Sequence, residues 1–363
     1  MRPFRIAFPD EALTDLRDRL ARTRWPAQLD VGWSRGVPVD YLRGVVDYWL
    51  HSYDWRRWEA RLIEFPQYLT EIDGQTIHFL HVRSKDPSAL PLLVTHGWPG
   101  SFVELVKIIE PLAESFHVVV PSVPGFGFST PLSEPGWNHH RIALAWAELM
   151  RRLGYSRYGT QGGDTGSVVS PEVGRVDPDH VVGVHINGGL AFPSGDLTDL
   201  ERERLAFAYE IKETGTGYAD LQSTRPHTLS FALNDSPVGQ LAWIIEKFRE
   251  WTDPARELPE DAVDLDLLLT NVTLYWLTGT GATSAHLYYE TRIDNPDLSP
   301  SGVPTAVAIF PTDPAIRRLV EREHNVVRWT EFDRGGHFAA LEAPDLLVED
   351  IRAFFGALET SQC

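Results

Sequence analysis

The chain predicts a doubly wound, mostly parallel α/β sheet that carries a helical lid and is preceded by an aromatic-rich arm. Three features of its 363 residues predict this. Short, unbroken apolar runs at 91–95, 117–120 and 181–186 have the character of strands buried on both faces of a parallel sheet. Amphipathic segments stand between them, most strongly at 142–153, where Leu144, Trp146, Leu149, Met150 and Leu153 are the apolar positions. From about residue 191 to 300 the pattern is mainly helical, and strand character returns at 306–310 and 325–329. An insertion of that kind covers the carboxyl edge of the sheet, where such folds bind ligands.

The expected organisation is an arm over 1–67, a first part of the core over 68–190, a lid over 191–300 and the rest of the core over 301–363. In the arm, Asp10 is expected to cap a helix carrying Leu13, Leu16 and Leu20, which Trp25-Pro26 ends. The remainder of the arm, rich in Trp, Tyr and Arg, reads as irregular and partly helical, needing another surface to pack on. It contains Gly32-Trp33-Ser34-Arg35-Gly36, the spacing of a serine nucleophile turn. No strand precedes it, so Ser34 is read as a loop residue. At 69–80 the alternation around Asp73-Gly74 predicts a hairpin. Glycine-rich turns follow the next two strands, at His96-Gly97-Trp98-Pro99-Gly100 and Pro124-Gly125-Phe126-Gly127-Phe128-Ser129, with a helix expected between them at 102–112. In the lid, 238–251 and 265–277 are the clearest helices, and a helix at 344–358 closes the chain.

The stretch with most chemical content is Gln161-Gly162-Gly163-Asp164-Thr165-Gly166-Ser167. Glycines at 162 and 166 frame a central residue with the spacing of a nucleophile elbow, a strand-to-helix turn so tight that the flanking positions must be small. The central residue here is Asp164. A carboxylate is unsuited to ordinary acyl transfer, but it attacks an electrophilic saturated carbon and leaves an alkyl-enzyme ester. In the α/β-hydrolase arrangement an acid and a histidine follow the nucleophile in that order. Asp313 stands just after the strand at 306–310, and His337 lies in Arg334-Gly335-Gly336-His337-Phe338, between the last strand and the last helix. Asp333 and Glu342 are rivals for the acid, but both are too near His337 in sequence to occupy a separate strand end.

Composition narrows the partners. Apolar residues make up 43% and charged residues 23%, ordinary for a soluble globular protein. A formal charge of −18 argues against nucleic acid or an anionic membrane surface. The start of the chain has no apolar core of signal-peptide length, and no apolar run approaches the ~20 residues that span a bilayer. The one cysteine, Cys363, excludes an intramolecular disulfide and fits a reducing compartment, so a cytoplasmic location is expected. His139-His140 lacks the company of other ligands, and no metal or cofactor is expected. A homodimer stays open.

With these motifs in place, the chain resembles the epoxide hydrolases of the microsomal type, without their membrane anchor. The resemblance runs over nearly its whole length, through the aromatic arm, His96-Gly97-Trp98-Pro99-Gly100-Ser101, Gln161-Gly162-Gly163-Asp164, Leu233-Asn234-Asp235-Ser236-Pro237-Val238-Gly239 and Arg334-Gly335-Gly336-His337-Phe338-Ala339-Ala340. It implies a small-molecule epoxide substrate, Asp164 as nucleophile, His337 as base and Asp313 as its orienter. The family often has Glu where this chain has Asp313, and usually a Trp where it has Thr165. The resemblance also implies two lid tyrosines on the epoxide oxygen, here Tyr218 and Tyr288, with Tyr289 the neighbouring alternative. The backbone N–H groups of Trp98 and Thr165 would serve the oxyanion of the second step. A haloalkane dehalogenase shares the elbow aspartate but needs indole or amide donors for its halide, whereas paired tyrosines suit a leaving oxygen. A catalytically silent protein holding an apolar ligand would need none of these residues together. The 33 basic residues comprise 29 Arg and 4 Lys, suggesting a GC-rich bacterial genome and, through bacterial relatives, an epoxide of secondary metabolism.

Overall fold

The computed structural model describes residues 1–188, 196–294 and 299–360. The expected core–lid boundary at 190–191 and Cys363 lie outside the described residues. Among the described residues, nine strands form one sheet in the order β1-β2-β3-β5-β4-β6-β7-β8-β9. Strands β1 (Arg2–Phe4), β2 (Gln67–Ile72) and β3 (Gln75–Val82) join antiparallel at one side. The rest are parallel: β4 (Leu90–Thr95), β5 (Phe116–Pro121), β6 (Tyr158–Gly163), β7 (Val181–Asn187), β8 (Pro304–Ile309) and β9 (Asn325–Glu331). Asp73 and Gly74 both take positive φ (51° and 72°), as a two-residue hairpin turn requires, and set the β2–β3 register at Ile72↔Gln75. The three-residue β1 was not anticipated.

The arm is more regular than its composition suggests. It folds as α1 (Asp10–Ala21), α2 (Val39–His51) and α3 (Trp55–Ile63). Trp49 Nε1 donates to Thr273 Oγ1 at 3.0 Å, and the Tyr53 hydroxyl pairs with Thr270 Oγ1, also at 3.0 Å. This burial of aromatic faces on another part of the chain overrides weak local signals. Asp10 is not the cap expected of it. Pro9 precedes the first turn, and Asp10, the first helical residue, pairs with Arg56. Ser34 stands exposed on a turn, as read.

Helices α4 (Val106–Ala113), α5 (His139–Leu153) and α6 (Thr165–Val176) connect the parallel strands. A single 3₁₀ turn at Phe102–Leu105 precedes α4, so the helix expected over 102–112 is built in two pieces. Helix α5 packs on α6, while α4 packs on the closing α18 (Pro344–Thr360), so the sheet is covered on both faces. Leu144 of α5 is 48% exposed and takes no part in that packing, unlike its fully buried neighbour Trp146. Between β7 and β8 the described chain is helical, from α7 (Asp199–Arg204) to α15 (His286–Arg292). It includes α9 (Gly217–Thr224), α11 (Pro237–Trp251) and α13 (Leu265–Thr278), the last two at the expected places. Among the described residues no helix is long and apolar enough to cross a membrane.

Close packing of α18 on the sheet depends on a residue without a side chain. A Cβ on Gly159, in β6, would lie 2.4 Å from the Phe355 ring of α18. That ring is 1% exposed and packs edge-on against Phe116 at 5.8 Å, so it has nowhere to go. Gly159→Ala is therefore expected to destabilise the protein by ~1–3 kcal/mol, the usual cost of overpacking. Urea unfolding measures this, and an unchanged midpoint would show that α18 yields more readily than the packing implies.

Candidate active site

Four sharp turns at the carboxyl ends of the parallel strands deliver the expected residues to one place. After β6 the chain turns at Asp164 into α6, with φ 51° and ψ −120° at the aspartate. That conformation is strained for a residue with a side chain and persists only where its surroundings enforce it. The glycine frame is what enforces it. A Cβ on Gly162 would lie 2.4 Å from the Gly166 carbonyl group, and one on Gly166 would lie 2.1 Å from the Thr95 carbonyl oxygen. Gly97, in the turn after β4, is similarly required, since a Cβ there would meet Asp164 Oδ1 at 2.3 Å.

This approach gives Asp164 its partners. Trp98 N–H donates to Asp164 Oδ1 at 2.9 Å, the Thr165 hydroxyl donates to the same oxygen at 3.2 Å, and the Thr165 N–H also reaches the carboxylate. The other oxygen, Oδ2, stands 3.4 Å from His337 Nε2. Burial alone would raise the Asp164 pKa, but the imidazolium and the N–H donors outweigh it and hold the carboxyl below its ordinary range. For His337 burial favours the neutral ring, yet the facing carboxylate wins and its pKa lies above the ordinary value. The two opposite shifts show that each group favours the charged form of the other.

The turn bearing Trp98 is clamped by α13. Asn271 Nδ2 donates to the Pro99 carbonyl at 2.7 Å, Ser101 Oγ donates to Asn271 Oδ1 at 2.7 Å, and the Tyr275 hydroxyl donates to the Gly100 carbonyl at 2.6 Å. From below, buried His96 accepts from Val123 N–H at 3.1 Å, and burial lowers its pKa to about 4, so it stays neutral. The loop bearing His337 is tied to the end of α11. His337 N–H donates to the Trp251 carbonyl at 2.8 Å, and Gly335 N–H to Asp253 Oδ2 at 2.9 Å. Glu342 accepts from Asp253 N–H at 2.7 Å and from Phe338 N–H at 3.0 Å. Gly336 permits the approach, since a Cβ there would stand 2.7 Å from the Trp251 oxygen.

Asp313 follows β8 and reaches the same neighbourhood. Its carboxylate accepts from Phe310 N–H at 2.8 Å, and burial lifts its pKa to about 6 against the pull of His337. It forms no ion pair with His337 in this structure. The two side chains meet at Gly188, where a Cβ would lie 3.4 Å from Asp313 Oδ1 and 3.7 Å from His337 Nδ1. Of the rival acids, Glu342 is occupied in holding the loop, and Asp333 has no contact with the imidazole among the described residues.

The helical insertion adds the phenols. Tyr218, at the start of α9, stacks on Trp98 with ring centres 5.0 Å apart and planes 7° from parallel. Tyr288, in α15, meets Tyr218 edge-on at 5.8 Å. Burial and the Asp164 charge raise both phenol pKa values, so both remain O–H donors. Tyr289 is 40% exposed, which separates it from its neighbour. His139 and His140 begin α5, where His140 pairs with Glu172 at 2.6 Å. Among the described residues no group of three or more His, Cys, Asp or Glu side chains could hold a metal ion.

Three residues not anticipated as part of the site stand behind Asp164. Glu104, Gln161 and Asn187 line, with Asp164 and His337, a chamber of about 20 Å³, room for about one water. Burial and the Asp164 charge raise the Glu104 pKa to about 8, which keeps it neutral at pH 7. Gln161 donates to Asn187 Oδ1 at 2.8 Å, leaving its own Oε1 buried without a protein partner. The extra signal was thin: Gln161 lies in the elbow stretch, but nothing in the pattern marks Glu104 or Asn187.

Two family models match the chain: "Epoxide hydrolase N terminus" over residues 1–105 and "alpha/beta hydrolase fold" over 91–344. The chain is 36% identical to epoxide hydrolase 1 of Sus scrofa, over 99% of this chain and 89% of that protein. Its structure is similar to that of the Aspergillus niger epoxide hydrolase, with a TM-score of 0.88 and 35% identity over 98% and 96% of the two chains. It is also similar to juvenile hormone epoxide hydrolase from Bombyx mori, with a TM-score of 0.92 and 30% identity over 100% and 95%.

The electrostatic balance generates a direct prediction. In Asp164→Asn the anion facing His337 is gone while the burial stays, so the imidazole pKa should fall by roughly 1–3 pH units. NMR titration of the His337 ring in both proteins measures it. A pKa that stays up without the carboxylate would mean that another charge protonates His337.

Proposed function

Because the chain belongs to the epoxide hydrolase family, we propose that it converts an epoxide to a vicinal diol through an ester on Asp164. The observation that carries this reading is the division of labour at the Asp164 carboxylate: one oxygen is held by N–H donors and the other faces His337 at 3.4 Å. In the first step Asp164 attacks an epoxide carbon from the side opposite the C–O bond. The bond breaks, its electron pair goes to oxygen, and Tyr218 and Tyr288 donate hydrogen bonds to the forming alkoxide.

Ester formation discharges Asp164, and the force holding His337 protonated disappears with it. The imidazolium's proton passes, by way of a phenol, to the ring-opened alkoxide, which becomes the first hydroxyl, and the neutral ring is a base at the moment a base is needed. A water in the chamber bounded by Glu104, Gln161 and His337 is placed to attack the ester carbonyl carbon, its proton passing to His337. Gln161 Oε1 accepts a second hydrogen from that water, and neutral Glu104 can donate to its oxygen. The carbonyl oxygen becomes an oxyanion in the place Oδ1 holds now, facing the N–H groups of Trp98 and Thr165. Collapse breaks the ester C–O bond, the proton remaining on the water-derived oxygen passes to the leaving alkoxide, and the diol departs, restoring the Asp164 carboxylate beside a protonated His337. Asp313, carrying a pKa near 6, is the group we assign to orient and stabilise the imidazolium. The setting we favour is a bacterial cytoplasm and an epoxide of secondary metabolism, supported by the composition alone.

His337→Gln separates the two steps. The variant should still attack an aryl epoxide and then stall, so intact-protein mass spectrometry should show the adduct on Asp164. Steady diol production by this variant would remove His337 from the base role. The phenols are tested on the first step. In the Tyr218→Phe/Tyr288→Phe double variant, single-turnover alkylation should fall by more than the ~10²–10³ typical of one lost donor, and ester hydrolysis should be spared. Alkylation at the normal rate in that variant would leave the epoxide oxygen without an assigned donor.

A further inference from the structure

Lys247, in α11, is one of the chain's 4 lysines and is 2% exposed. Lysine is almost never buried this fully unless something compels it, because an apolar side chain of similar volume would fill the space without desolvating a charge. Its ammonium has two carboxylate partners, Glu246 at 2.9 Å and Glu250 at 2.7 Å. Neither partner is itself buried, with 28% and 33% of their side chains exposed, so these pairs do not require the lysine to be inside. What lies inward is aromatic. Lys247 Nζ stands 4.8 Å from the centre of the Tyr218 ring and 5.8 Å from the Trp251 ring. Trp251 in turn meets Tyr218 edge-on at 5.3 Å and His337 at 5.0 Å.

We propose that Lys247 is a positioning residue for ring opening, its ammonium holding the Tyr218 ring against Trp98 and strengthening the Tyr218 hydroxyl as a donor while Glu246 and Glu250 hold the ammonium. The physical reason is that a cation is attracted to the electron density of a ring face. That density rises when the phenol shares its proton with an alkoxide and becomes partly phenolate. The contact is therefore stronger at the transition state than in the resting site, which is the condition for accelerating a step. Among the described residues no cation stands over Tyr288, so this contact distinguishes the two phenols. The inference rests on the reading that Tyr218 donates to the epoxide oxygen.

The test is a double-mutant cycle in single-turnover kinetics with styrene oxide, following alkylation and ester hydrolysis separately. Lys247→Met should slow alkylation about tenfold, the scale of a desolvated cation–π contact, and leave hydrolysis within about twofold. Lys247→Arg should recover most of the lost rate. In a Tyr218→Phe background, the Lys247→Met change should have an effect of no more than about twofold, since the group it acts through is gone. Circular dichroism checks the fold of each variant; should the methionine variant not fold, Lys247→Gln takes its place in the cycle. Equal losses in both backgrounds, or both half-reactions slowed together, would show a structural role and overturn the inference. So would normal alkylation in Lys247→Met alongside a slow Tyr218→Phe, which leaves the tyrosine assignment standing. Normal alkylation in Tyr218→Phe itself would remove the assignment, and the inference with it.

Discussion

The site depends on keeping a half-buried carboxylate, that of Asp164, ionised while leaving one of its oxygens without a close donor. Desolvation works against the Asp164 anion, and the structure answers with donors on one oxygen and a cation opposite the other. Each answer has a mechanical cost elsewhere. The Trp98 donor comes from a turn that can approach only because Gly97 lacks a side chain, and the imidazole comes from a loop that needs Gly336. The strained backbone at Asp164 aims the carboxylate, and the contact of Gly166 with the Thr95 carbonyl keeps it strained. A looser turn would be more comfortable and would point the carboxylate away from both partners.

The other carboxyl groups near Asp164 are governed by the same electrostatics but have different outcomes. Glu104, close to Asp164 and largely desolvated, has its pKa lifted to about 8 and is neutral at pH 7. Asp313, at about 6, sits nearer the border, where the imidazole charge can decide its state. Glu342, at about 7, is held by two backbone N–H groups and serves the loop and not the reaction. Separated pKa values let neighbouring carboxyls in one small volume hold different charge states.

Much of this was legible in the order of residues because much of it is local. A glycine frame around Asp164, an acid after β8 and a histidine after β9 are each properties of a few consecutive residues, and strand ends bring them together. The parallel strands were visible as apolar runs for the same reason. What could not be read is what long-range packing decides. The arm's helices are stabilised by Trp49 and Tyr53 bonding to α13, more than 200 positions away, and so looked irregular from composition. Asn271 and Tyr275 looked like ordinary members of an apolar helix until α13 was seen against the turn of Trp98. Glu104 carries no motif at all, and only burial gives it chemistry. Asp10 shows the opposite failure: a familiar signal for a cap proved to be an ion-pair partner one residue inside the helix.

The hydrogen bonds between the end of α11 and the loop of His337 bear on how such enzymes can be recombined. Trp251 and Asp253 belong to the insertion, Gly335, His337 and Glu342 to the core, and the four bonds among these two stretches and Phe338 make them one structural part. The insertion is therefore not an interchangeable cassette. A chimera that takes α11 from one relative and the histidine loop from another breaks this part across its middle, and misplaces His337 even if every helix folds. Crossovers that keep 251–253 and 335–342 from one parent preserve the part, and over generations these two stretches should be inherited as a pair.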